Sequence, residues 1–102
     1  MVKKGISYIK KHFSEQPSVD DIANFAGYSK YYFCRCFKEI TGYTVNSYIN
    51  STKVEYAKEM LEKGEYSVSE VSEKCGFSDI SYFTKIFKKY TGFLPSKVKS
   101  EN

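Results

Sequence analysis

One short stretch of the chain carries side chains that could recognise another molecule through hydrogen bonds. Tyr31, Cys34, Arg35 and Lys38 fall at helical spacing, so they share one face of a helix. Arg35 is the only arginine among 16 basic residues. Its guanidinium can donate two parallel hydrogen bonds to guanine O6 and N7, a geometry that a lysine ammonium matches less well. Lys30 and Lys38 are better suited to phosphate groups.

A second stretch presents a similar face built from different residues. It consists of Ser81, Thr84, Lys85 and Lys88, joined by Ile80 and Tyr82 near the start of the helix. Ser81 and Lys85 can hydrogen-bond to base edges, and Ile80 can contact a thymine methyl group. The candidate nucleic-acid contacts are therefore Lys30, Tyr31, Cys34, Arg35, Lys38, Ile80, Ser81, Tyr82, Lys85 and Lys88.

The two faces belong to two copies of one motif. Residues 18–43 and 67–93 align position by position, except that one extra residue enters the second copy after Ser78. The identical positions are Ser18/Ser67, Val19/Val68, Gly27/Gly76, Ser29/Ser78, Tyr32/Tyr82, Phe33/Phe83, Phe37/Phe87, Lys38/Lys88, Thr41/Thr91 and Gly42/Gly92. Each copy reads as a short helix, a glycine turn and a second helix. This is the helix-turn-helix pattern, in which the second helix enters the major groove of DNA.

Capping residues and glycines predict where the helices begin and end. Ser18 with Asp21, and Ser67 with Glu70, have the spacing of capping boxes. A first helix has an apolar stripe at Val2, Ile6, Ile9 and Phe13 and is broken by Gln16-Pro17. The later predicted helices run from Val19 to Ala26, from the Ser29 cap to Thr41, from Val45 to Lys63, from Val68 to Cys75, and from a cap at Ser78 or Asp79 to Thr91, with a short last helix at Pro95. Met1 to Lys4 and Lys99 to Asn102 are expected to fray.

These elements predict an all-α fold of about seven helices, with two helix-turn-helix subdomains bridged by one long connecting helix. The expected division is 1–44, 45–64 and 65–102. In the first copy Ile22, Ala23 and Ala26 are expected to pack on Phe33, Phe37 and Ile40. In the second, Val71 and Cys75 are expected to pack on Phe83, Phe87 and Tyr90. The apolar residues of the connecting helix are assigned to one broad face: Val45, Tyr48, Ile49, Tyr56, Ala57, Met60 and Leu61.

Composition narrows the class of function. A net charge of +4 and a pI near 8.9 are compatible with an anionic partner. No apolar run approaches the ~20 residues of a membrane span, and no signal-peptide core is present. Three cysteines without a CxxC pair indicate a reducing, cytoplasmic setting rather than a disulfide framework. With one histidine, no phosphate loop and no metal-ligand spacing, an enzyme, a cofactor and a metal are not expected. A redox-sensing thiol at Cys34 remains an alternative for that residue.

The segments GYSKYYFCRCFKEITG and GFSDISYFTKIFKKYTGFLPS resemble the two signature segments of the AraC family of bacterial transcription regulators. The matching residues are Gly76, Phe77, Ser81 to Phe83, Phe87-Lys88, Gly92 and Pro95, with Tyr48-Ile49, Ala57 and Met60-Leu61 in the middle. The resemblance covers Ile6 to about Val98. It implies sequence-specific binding of double-stranded DNA, control of transcription, and RNA polymerase or other transcription machinery as a partner. It also implies an effector or dimerisation domain outside this chain in many relatives.

The chain departs from the family pattern at a few positions. Lys53 stands where the family usually has arginine in the connecting helix. Cys34 and Cys36 occupy recognition-helix positions that often differ, and Lys97 and Lys99 fall near a common terminal arginine. The rival interpretation, from a different functional class, is a helical protein–protein interaction module.

Overall fold

The computed structural model describes residues 2–98; Met1 and residues 99–102, where fraying was expected, lie outside this range. The described part contains six α-helices: α1 (Val2–His12), α2 (Val19–Ala26), α3 (Lys30–Thr41), α4 (Val45–Lys63), α5 (Val68–Lys74) and α6 (Ile80–Thr91). Two 3₁₀ turns, Phe13–Glu15 and Pro95–Lys97, complete it, and no strand occurs within residues 2–98. The all-α prediction is confirmed. The chain forms two compact units, the first ending at Thr52 and the second beginning at Lys53.

The helix starts are fixed by the predicted caps. The Ser18 hydroxyl accepts a hydrogen bond from the Asp21 amide at 3.0 Å, and the Ser67 hydroxyl accepts one from the Glu70 amide at 3.1 Å. Each acidic side chain accepts in return from the cap amide, so both capping boxes are complete. The bond from the Ser67 amide lowers the pKa of the Glu70 carboxyl, because it stabilises the charged form.

Both helix-turn-helix motifs use the same glycine turn. Gly27 and Gly76 each have a φ of 85°, a left-handed conformation that glycine adopts without strain. After each glycine the next amide, of Tyr28 or of Phe77, bonds back to a carbonyl of the preceding helix at 3.0 Å. The N-cap of α3 is Ser29, whereas that of α6 is Asp79. The extra residue of the second copy therefore lies in the turn and leaves the helices intact.

The core of the first unit is built by α1, α2, α3 and the start of α4. Its buried residues are Val2, Ile9, Ile22, Ala23, Ala26, Phe33, Phe37, Val45 and Ile49. Because Val2 is part of this core, Val2 to Lys4 are helical, and the expectation that they fray is wrong. Ile40 was expected to pack in the core, but it is 67% exposed and does not belong to it. It lies in the last turn of α3, and Phe37 packs instead against the ring of Tyr48, at 5.4 Å between ring centroids.

The helix α4 contributes buried residues to both units. Val45 and Ile49 are buried in the first unit, and Val54, Ala57 and Leu61 are buried farther along. At 100° per residue these two groups lie on different faces of the helix, so the prediction of one broad apolar face is wrong. Tyr56, placed on that face by the sequence, is 39% exposed.

The second unit buries a matching set of side chains. Val71, Cys75, Phe83 and Phe87 are fully buried, as the sequence predicted. Phe77 and Ile86 are also buried, at 7% and 8% exposure. Among the helices of residues 2–98, none is long and apolar enough to cross a lipid bilayer.

Candidate nucleic-acid interface

The first candidate face lies on α3, the second helix of the first motif. Phe33 and Phe37 hold one side of α3 in the core, which turns Tyr31, Arg35 and Lys38 outward. Tyr31 is 89% exposed. Its ring is therefore available to a partner along with the basic side chains of the same face. Lys30, at the start of α3, is also exposed.

Cys34 and Cys36 differ in their surroundings. Cys34 is half-buried, packs against the core of the first unit and lines a groove of about 580 Å³. The groove is lined by Val19, Cys34, Arg35, Lys38, Glu39, Thr44, Val45 and Asn46. Cys36 is half-buried. Its proximity raises the pKa of the Tyr32 phenol.

Arg35 is in contact with an aromatic neighbour on its own helix. The guanidinium carbon of Arg35 lies 5.8 Å from the centre of the Tyr32 ring, within range of a cation–π interaction. The Tyr32 ring in turn lies 5.6 Å from the ring of Tyr28, in the glycine turn. Tyr32 was not among the predicted contact residues, although its spacing of three from Arg35 was a usable signal.

The second candidate face lies on α6. Ile80, Ser81, Tyr82, Lys85 and Lys88 are all exposed. Ile80 is 46% and Tyr82 48% exposed, so the start of α6 presents apolar surface beside its lysines. Within the sequence of α6 the charged residues are Lys85, Lys88 and Lys89, all basic. Thr84 is half-buried, and its hydroxyl donates to the Ile80 carbonyl at 2.9 Å.

The basic residues near the ends of α3 and α6 occupy equivalent positions. The carbonyl of Lys38 accepts from the Gly42 amide, and that of Lys88 accepts from the Gly92 amide, each at 2.8 Å. Both glycines are left-handed, with φ of 80° and 83°. The two helices therefore end in the same way and present a lysine at the same position relative to the end.

Lys53 supports the second motif from inside the protein. It is only 6% exposed, and its ammonium donates to the Gly76 carbonyl at 3.2 Å and lies 4.9 Å from the centre of the Phe77 ring. Burial lowers the pKa of Lys53, because the charged form loses hydration. The lysine thus fastens α4 to the glycine turn that precedes α6. The sequence showed only that a lysine replaces the usual arginine here.

Chemistry other than binding has little support in the described range. Within residues 2–98 no three side chains of His, Cys, Asp or Glu are grouped so that they could hold a metal ion. Cys75 is fully buried, and burial raises the pKa of its thiol to about 11, so it is a poor nucleophile near neutral pH. His12 bonds to Glu15 through Nδ1 at 2.9 Å. What the geometry does provide is two exposed, mostly basic helix faces.

Comparison with known proteins connects these faces to a family. Residues 22–101 match the family described as a helix-turn-helix domain. Regulatory protein PocR of Salmonella typhimurium is 30% identical over 100 residues, a span that covers 98% of this chain and 33% of PocR. The chain thus spans about a third of the length of that relative.

Solved structures show the same fold. The C-terminal domain of AraT, a response regulator from Geobacillus stearothermophilus, superposes with a TM-score of 0.91 at 28% identity, covering 99% of this chain and 87% of that one. The DNA-binding domain of AdpA, a global transcriptional factor solved in complex with a target DNA, gives a TM-score of 0.86 at 28% identity, covering 93% and 86%.

Proposed function

Because the chain belongs to the AraC family of helix-turn-helix DNA-binding domains, a family of transcription regulators and not of enzymes, we propose that it binds double-stranded DNA sequence-specifically to regulate transcription. In this proposal α3 and α6 enter successive major grooves. The observation that carries it is the pair of exposed reading faces, at equivalent positions of two motifs whose other sides are buried. The AdpA structure supports it, since that similar domain was solved on DNA.

The exposed side chains divide by chemistry into readers and anchors. Arg35 is the base reader of α3, because its fork matches guanine, while the exposed Tyr31 and the half-buried Cys34 flank it. Ser81 and Lys85 read bases from α6, and Ile80 and Tyr82 add apolar contacts. Lys30, Lys38 and Lys88 bind phosphates and fix the register without reading sequence.

The two modules act as one DNA-binding unit in this proposal. Residues 1–44 and 65–102 supply the two readers, and residues 45–64 connect them. The protein works in the bacterial cytoplasm, where its DNA target is accessible. RNA polymerase or other transcription machinery is its protein partner.

Fluorescence anisotropy with labelled duplex DNA tests the proposal. Binding should weaken steeply as salt rises, because phosphate contacts release counterions. A helical protein–protein interaction module, the rival function, predicts no binding to duplex DNA at low salt. Binding that does not change with salt would contradict the proposed phosphate contacts as well.

Two substitutions separate the reader from the anchor. Arg35→Ala should weaken the free energy of binding to the preferred sequence by about 1–3 kcal/mol and remove the preference at one base pair. Lys88→Ala should weaken binding to all duplexes about equally. Lys58→Ala, an exposed lysine of α4 outside both faces, is the matched control and should bind normally. If Arg35→Ala keeps every base preference, the reading role of Arg35 is wrong.

A further inference from the structure

The exposed side of α3 contains a short column of stacked side chains whose role the reading face does not explain. Tyr28, in the glycine turn, contacts Tyr32, and Tyr32 lies against Arg35. The two tyrosines are 41% and 45% exposed, so their rings are not needed to fill the core. The column ends at the one arginine of the chain.

The Tyr32 ring packs against a neighbouring ring. It is tilted 33° against that of Tyr28, at 5.6 Å between centroids. A ring that packs against a neighbouring ring can restrict a flexible side chain beside it, and the arginine side chain has many rotamers to restrict.

An arginine that reads guanine must present both of its donors in one plane. A free arginine would have to become ordered at the moment of binding, which weakens the complex. A contact with Tyr32 that restricts the guanidinium before binding lowers this cost. The attraction is electrostatic and does not use the guanidinium N–H groups, which remain available for a base.

The second unit has a matching pair of rings but a lysine in place of the arginine beside it. The residues that align with Tyr32 and Arg35 are Tyr82 and Lys85. There the Tyr82 ring lies 6.2 Å from the ring of Phe77, which is buried. The column of two exposed tyrosines leading to an arginine is therefore a feature of the first reader.

We infer that Tyr32 is a positioning residue that sets the base specificity of the first reader by holding the Arg35 guanidinium against its ring. The inference rests on the proposed function, because it assumes that Arg35 reads a base. It assigns Tyr32 no direct contact with a base. Its effect should therefore appear at the base pair read by Arg35 and at no other.

The test uses the whole chain and a duplex selected by it from a random library. Three further duplexes carry the other base pairs at the position where Arg35→Ala loses preference. Tyr32→Leu should reduce the discrimination at that position by about two- to fivefold, the worth of an exposed cation–π contact. Tyr32→Phe keeps the ring and should discriminate as the wild type does. Phe25→Leu, which alters another exposed ring of the first unit, is the matched control.

A double-mutant cycle separates positioning from a general structural effect. In the Arg35→Ala background, Tyr32→Leu should change nothing further at that base pair. An equal loss on all four duplexes, or a loss that persists without Arg35, would overturn the inference. So would unchanged discrimination in Tyr32→Leu.

The experiment also distinguishes which proposal has failed. If the wild type selects no sequence, or if Arg35→Ala keeps every preference, the proposed function fails and takes the role of Tyr32 with it. If Arg35→Ala loses the preference but Tyr32→Leu does not, only the role of Tyr32 is wrong. Thermal melts of the variants, followed by circular dichroism, check that each is folded.

Discussion

Single residues inside the protein decide how firmly the second reader is held. Lys53 is a buried lysine whose contacts are a backbone carbonyl and a ring. Burying an ammonium group costs free energy. The hydrogen bond and the ring contact of Lys53 offset that cost. The Gly76 carbonyl, at the C-terminal end of α5, is a favourable acceptor because the helix dipole makes that end negative.

Substitution of Lys53 should therefore destabilise the second unit. Lys53→Ala removes the hydrogen bond to the Gly76 carbonyl and should lower the free energy of unfolding by about 1–3 kcal/mol. Lys53→Arg keeps a hydrogen-bond donor, so its free energy of unfolding should fall by less. Urea denaturation measures both, with Lys58→Ala on the exposed side of the same helix as control. A Lys53→Ala protein as stable as Lys58→Ala would show that the bond contributes nothing.

The buried thiol of Cys75 should make the protein less stable at alkaline pH. The pKa of this thiol is raised from 9.0 to about 11 in the folded protein, so the folded state keeps its proton while the unfolded chain ionises. Stability from this group is complete below pH 9 and is lost as pH rises toward 11. Lys53, whose pKa is lowered, works in the opposite direction because its buried charge disappears as pH rises.

Comparison of the wild type with Cys75→Ala isolates the contribution of the thiol. Between pH 9 and 11 the free energy of unfolding of the wild type should fall by up to about 3 kcal/mol more than that of the variant, which lacks the ionising group. Urea denaturation at several pH values in this window measures the difference. Parallel curves for the two proteins would contradict the raised pKa.

At the scale of elements, the packing of α1 on α3 depends on one glycine. A Cβ atom at Gly5 would lie 2.5 Å from Cζ and 2.9 Å from Cε1 of Phe33, a fully buried ring. Gly5 thus permits a close approach of two helices, although glycine is a poor residue for a helix interior.

Gly5→Ala tests which of these two effects is larger. Helix propensity alone would stabilise the variant by about 1 kcal/mol, whereas the clash with Phe33 should destabilise it by about 1–3 kcal/mol. We expect a net loss, measured by urea denaturation. A more stable Gly5→Ala protein would mean that the two helices can separate at little cost.

The elements also show how far the sequence could predict the structure. Caps and glycines are local signals, and the bounds of α2, α3 and α4 were predicted from them without error. The buried face of α4 was not, because its first half serves one unit and its second half the other, and periodicity within one helix does not reveal which neighbour it meets. For the same reason Ile40 was assigned to a core that does not extend over it.

The candidate site was predictable to a similar degree. Exposure of Tyr31, Arg35, Lys38, Lys85 and Lys88 follows from the positions of the buried phenylalanines on the same helices. The roles of Tyr32 and Lys53 depend on the direction of a side chain and on a contact between elements distant in sequence. The spacing of three between Tyr32 and Arg35 is a local signal for the first role, whereas the sequence holds none for the contact of Lys53 with Gly76.

At the scale of the whole molecule, a duplicated scaffold carries two unlike reading faces. The capping boxes, glycine turns and paired lysines recur, while Tyr31, Cys34 and Arg35 correspond to Ser81, Thr84 and Lys85. Two unlike readers on one chain should recognise two unlike half-sites. The proposed DNA target is therefore asymmetric.

Selection of bound duplexes from a random library tests this account most directly. The chain is incubated with the library at moderate salt. Complexes that contain one protein molecule per duplex are isolated, and their DNA is sequenced. We expect an enriched site with two different half-sites about one helical turn apart, ~34 Å. The half-site read by α3 should lose one base preference in Arg35→Ala. Absence of any enriched sequence, or a perfect inverted repeat bound by one molecule, would contradict the account.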